Sequence, residues 1–94
     1  MKNKAKISKS ELTGVLVAIK REAVKYDWYN EERDVQITVG YCDKKADWDI
    51  QTGDNGFTGR AYSYPNWGVS SIYPGCNCKE IAAELINQIE ELIA

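Results

Sequence analysis

The chain contains no histidine, and it has only three cysteines, two prolines, one methionine and one phenylalanine in 94 residues. Without histidine it lacks the commonest general base, the usual partner of a nucleophile and the commonest metal ligand. Its cysteines, Cys42, Cys76 and Cys78, are odd in number and no export signal precedes them, so they read as reduced thiols. The longest apolar run, Val15 to Ile19, falls far short of the roughly 20 residues that span a bilayer. The opening MKNKAKISKSE offers no apolar segment for a signal peptide. Lysine and arginine number 12 against 14 aspartates and glutamates, a net charge of −2. A basic stripe, which supplies most of the affinity of a nucleic-acid binder, is missing. These absences predict a cytoplasmic protein with no membrane partner, and they disfavour nucleic acid.

What is present is ordinary for a globular chain: 44% hydrophobic and 28% charged residues. The length predicts a single domain, residues 1–94, with residues 1–7 as a frayed tail. Ser8 or Ser10 can cap a first helix, and Glu11 stands three residues after Ser8, the capping-box spacing. Leu12, Val15, Leu16, Ile19, Ala23 and Tyr26 then recur at helical spacing, which predicts a helix from about Ser10 to Tyr26. Gly14 weakens it by ~1 kcal/mol relative to alanine, a weakening that close approach to a sheet would explain. Val35, Ile37, Val39 and Tyr41 alternate strictly, so Arg33 to Cys42 reads as a strand. Asn55-Gly56 is the strongest short-range hairpin signal, because both residues accept the φ > 0 of a type I′ turn. That turn sets Asp47 opposite Tyr64, Trp48 opposite Ser63, Asp49 opposite Tyr62, Ile50 opposite Ala61 and Gln51 opposite Arg60. Pro65 reverses the chain again, and Gly68 to Tyr73 is a fourth strand. Asn77 caps a last helix, Cys78 to Ile93, with its stripe at Ile81, Leu85, Ile89 and Leu92.

The fold class that follows is α+β: an antiparallel four-stranded meander, flanked by N- and C-terminal helices packed on one face, in the order α-β-β-β-β-α. Val35, Ile37, Val39, Trp48, Ile50, Phe57 and Ala61 face the helices. The opposite face, with Thr38, Asp47, Asp49, Gln51, Arg60, Tyr62 and Tyr64, is left open to water.

Several constellations carry candidate chemistry. Cys76-x-Cys78 has metal-like sulfurs, but a zinc shell needs four ligands and only Cys42 could add a third thiolate. Asp47-x-Asp49-x-Gln51 resembles the opening of a calcium loop. That loop needs glycine at its sixth position and glutamate at its twelfth, where this chain has Thr52 and Thr58. Asp47 and Asp49 also suit paired-carboxylate chemistry, yet two outward carboxylates on one strand are first of all a solvated face. Gly53, Gly56 and Gly59 flank a hairpin with no helix start behind them, so they are turn glycines rather than a phosphate loop. Ser70-Ser71 has no base. No catalytic residue, metal or cofactor is assigned on this basis.

The segment PGCNCKEIAAELI, with Ala82-Ala83 and Lys79 at the start of the last helix, resembles the double-stranded RNA-binding domain, whose order is α-β-β-β-α and whose last helix opens with small residues and lysines. The resemblance implies phosphate contacts from that helix. This chain supplies Lys79 alone there, followed by Glu80 and Glu84. Tyrosine, tryptophan and arginine are the residue types enriched where proteins touch. The expected function is therefore a small non-enzymatic binding module or regulator, acting by protein–protein contact on the open sheet face through Asp49, Gln51, Arg60, Tyr62, Tyr64 and Trp67. The alternatives are an RNA binder of the double-stranded type and a small-molecule or metal-dependent enzyme. A homodimer, by edge pairing or across the open face, is compatible with the pattern.

Overall fold

The computed structural model describes residues 4–25, 34–52 and 60–93. Within them lie α1 (Lys9–Lys25), β1 (Val35–Cys42), β2 (Asp47–Thr52), a four-residue helical turn α2 (Arg60–Ser63), β3 (Asn66–Ile72) and α3 (Cys78–Ile93). The strands form one three-stranded antiparallel sheet in the order β2-β1-β3. The class is α+β, but the four-stranded meander expected from the sequence is not formed. Residues 60–63, expected as the return arm of a hairpin, are helical, and β1 is the central strand. The Asn55-Gly56 turn and Phe57 lie outside the described residues.

Gly40 supplies the physical reason for the difference. Ala61 of α2 lies directly over it, on the face opposite the long helices. A Cβ at Gly40 would overlap the Ala61 carbonyl oxygen and lie 2.7 and 2.8 Å from its Cα and carbonyl carbon. Only a glycine in the middle of β1 admits this approach. The chain leaving β2 thus crosses the middle of β1 and continues as β3 on the far side, so no further hairpin arm can form there. Thr38 and Gln51, expected in water, are buried beneath this crossing at 0% and 5% exposure.

On the other face Val35, Ile37, Val39 and Tyr41 pack with Leu12, Leu16 and Ala23 of α1 and with Ile81, Ala82, Leu85 and Ile89 of α3. Both caps read from the sequence are made. The Glu11 N–H donates to Ser8 Oγ at 3.2 Å, and the Lys79 and Glu80 N–H groups donate to Asn77 Oδ1 at 3.0 and 3.3 Å. Residues 5–7 differ from the frayed tail expected of them. The Ala5 N–H donates to Glu90 Oε2 at 3.0 Å, the Lys6 N–H donates to the Tyr41 hydroxyl at 2.9 Å, and Ile7 joins the core.

α3 runs close along β3, where a Cβ on Gly68 would stand 3.1 Å from Gln88 Cβ and 3.3 Å from the Leu85 carbonyl oxygen. From there Gln88 reaches the outer edge of β3. Its Oε1 accepts the Val69 N–H at 2.9 Å, and its Nε2 donates to the Val69 carbonyl at 2.9 Å. One side chain thus does for Val69 what a neighbouring strand would do. Replacing Gln88 with leucine is expected to lower stability by about 1–3 kcal/mol, since it strands two backbone groups. It should also introduce association that grows with protein concentration, because a bare strand edge is a template for pairing. Sedimentation of Gln88→Leu as an unchanged monomer would show that the β3 edge is closed by something else.

Two backbone positions carry the wrong residue for stability. Gly14 has no atom within 4 Å of a built Cβ, so a close approach to the sheet does not account for it. Ala46, in the turn between β1 and β2, sits at φ 51°, the left-handed region that costs an L-residue about 1–2 kcal/mol. Gly14→Ala and Ala46→Gly are each expected to raise the urea midpoint, by about 0.5–1 kcal/mol in stability and with unchanged slope. A lower midpoint for Gly14→Ala would reveal a neighbour for α1 at that position.

Candidate functional site

Of the six residues that the sequence offers as a binding surface, Asp49, Gln51, Tyr64 and Trp67 are described with their side chains. Asp49, Gly40 and Trp67 stand abreast on β2, β1 and β3, but Ala61 fills the space over Gly40 between the two side chains. Asp49 is half-buried and Trp67 is 44% exposed. Gln51 is buried, and neither atom of its carboxamide has a hydrogen-bond partner. Leaving a buried amide unpaired costs about 1–3 kcal/mol. Tyr64 is half-buried and its hydroxyl donates to Asp47 Oδ2 at 2.6 Å. Arg60 and Tyr62 belong to α2, and their side chains lie outside the described part of the structure.

Asp47 commits one carboxylate oxygen to Tyr64 and the other to the Trp48 N–H, 3.0 Å away. It works as a clasp between β2 and the segment before β3. Cys76 and Cys78 are buried in the core, whereas Cys42 is half-buried in β1 on the face of Thr38 and Gly40. Among the described residues no group of three or more cysteines, aspartates or glutamates is placed to hold a metal ion. Gly53, Gly56, Gly59 and Thr58 lie outside the described residues.

Burial pushes the Cys78 thiol above its ordinary value of 9.0, Cys76 beside it pushes the same way, and Lys20 pulls against both. Lys20 is held there by the bond its Nζ donates to the Cys76 carbonyl at 3.1 Å. Cys78 is thus a neutral thiol at pH 7, poor in the thiolate that redox chemistry needs. Since the folded value lies above the unfolded one, this proton's contribution to stability is complete below about pH 9 and is lost as pH rises through the folded value. Cys78→Ala is expected to lose less stability than wild type between about pH 8 and pH 10. Equal losses in the two proteins would exclude Cys78 as a source of the alkaline decline.

The edges of the sheet hold the site that sequence reading missed. Val69 turns its N–H and C=O outward to Gln88, so its partner Thr38 turns its own groups the other way, toward β2. Thr38 is paired with Gln51, which therefore bonds inward. Direction alternates along a strand, so Trp48, Ile50 and Thr52 point their backbone groups to the outer side of β2. The Trp48 N–H is satisfied by Asp47. Ile50 and Thr52 have no outward partner among the described residues. Their side chains lie on the helix face, where α1 stands off from β2. Val15, Ala18, Ile19 and Glu22 of α1 form the other wall of an open apolar groove of about 450 Å³. Ile50 and Thr52 are legible as strand residues. That Val69 on the opposite edge is covered depends on Gln88, which in the sequence is one more polar residue on a helix.

Comparison of the chain with known protein families, curated proteins and solved structures returns no match. No described helix is long and apolar enough to cross a membrane.

Proposed function

We propose that this chain is a small non-enzymatic binding module that acts by protein–protein contact, and that the contact is made at the β2 edge and the groove beside it. The observation that carries the reading is the β2 edge: Ile50 and Thr52 turn backbone groups outward with no partner among the described residues, next to an apolar groove, whereas Val69 on β3 is bonded in both directions by Gln88. Unpaired edges are a liability that proteins cover unless they use them. The absence of histidine, the engaged carboxylate of Asp47 and the neutral thiol of Cys78 support a non-enzymatic role. The RNA reading has only Lys79, whose helix continues with Glu80 and Glu84.

Ala18 is exposed and lines the groove, so Ala18→Trp should fill it without disturbing the core. Affinity capture from a lysate of the source cell, using wild type, Ala18→Trp and the Arg60→Ala/Tyr62→Ala double variant, tests the proposal. A protein retained by wild type and by the double variant, and lost with Ala18→Trp, is the expected result. Loss with the double variant alone would move the contact to α2. Retention of no protein by wild type would overturn the proposal.

A further inference from the structure

The partner's chemistry can be read from the same site, and this inference rests on the protein-contact reading above. Ile50 and Thr52 each offer one N–H and one C=O to the outer side of β2, two residues apart, which is the repeat of a strand. Their side chains enter the groove, so a strand laid against this edge would send every second side chain between α1 and β2. On the α1 side the groove wall is apolar except for Glu22, and Gln51 and Thr52 of β2 complete the lining with Ile50. β2 itself carries Asp47 and Asp49 and no lysine or arginine.

We propose that the site takes an extended segment of a partner protein, which adds to β2 as a fourth strand, places alternate apolar side chains in the groove and sets a basic residue against Glu22. A second copy of this chain fits less well. Pairing two β2 strands would bring two aspartates from each to one seam with no base between them, and like charges across a strand pair are destabilising. Head-to-tail stacking of β2 on β3 is obstructed at Val69, whose backbone groups Gln88 already holds. The Trp48 N–H, already held by Asp47, limits the docked stretch to the Ile50–Thr52 end of the strand.

The test uses the full chain and a fluorescein-labelled pool of heptapeptides. Valine, isoleucine, leucine or phenylalanine occupies alternate positions, threonine stands between them, and one flanking position is lysine or arginine. Saturable binding is expected, weakened at least tenfold when alternate peptide amides are N-methylated and at least tenfold by Ala18→Trp. Replacing the flanking base with glutamate should weaken binding about threefold on wild type, and Glu22→Lys should invert that preference. Binding indifferent to N-methylation would overturn strand addition in favour of a small apolar ligand. Self-association that Ala18→Trp abolishes would assign the groove to a second copy. If the pool fails to bind while lysate capture succeeds, strand addition falls and the protein-contact reading stands. If both fail, both fall.

Discussion

The bare Cα of Gly40 is the constraint on which the rest of the sheet depends. It lets the backbone of Ala61 settle onto β1, and so lets the chain cross the sheet between β2 and β3. Any side chain at position 40 would lift α2 away and open Thr38 and Gln51 to water. With glycine there, β1 becomes the central strand and β2 and β3 become the two edges. The crossing has a local cost in the orphaned carboxamide of Gln51, which the clasp from Tyr64 to Asp47 on the same side of the sheet helps to offset.

Edge order then decides which surface is unfinished. Placing β3 on the far side of β1 puts it beneath α3, close enough at Gly68 for Gln88 to reach around and bond Val69 in both directions. α1 packs on α3 rather than on β2, and among the described residues no side chain bonds the outward groups of Ile50 and Thr52. The groove between α1 and β2 is thus a consequence of the same topology that brings Gln88 to Val69.

The elements with local signals were legible in the sequence. Ser8 and Asn77 cap the helices where hydroxyl and amide caps are expected, and the alternation of Val35, Ile37, Val39 and Tyr41 marks the buried face of β1. What could not be read locally was long-range. The Arg60-Ala61-Tyr62-Ser63 stretch alternates like a strand, and the Asn55-Gly56 signal reinforces that reading, yet tertiary contact with β1 makes it a helical turn. Thr38 and Gln51 alternate with apolar neighbours in the way a wet face does, and only the crossing above them makes them buried. Gly40 was the one residue that announced the crossing, since a glycine inside a strand marks close backbone approach. The candidate site was less legible still, because an open edge is defined by what fails to cover it.

Magnitudes explain why edge and groove must act together. About four backbone hydrogen bonds to Ile50 and Thr52, at a net 0.5–1.5 kcal/mol each, contribute at most about 6 kcal/mol. Association itself costs roughly 4–15 kcal/mol in lost freedom, so the edge alone binds weakly or not at all. Each valine or leucine side chain fully buried in the groove adds about 1.5–3 kcal/mol. Burial in the groove therefore carries the affinity, while the edge fixes the partner's backbone and so selects which of its side chains arrive there. A partner with the right apolar residues in a helix would miss the edge, and an extended but polar segment would leave the groove empty. The surface discriminates because neither half of it is sufficient.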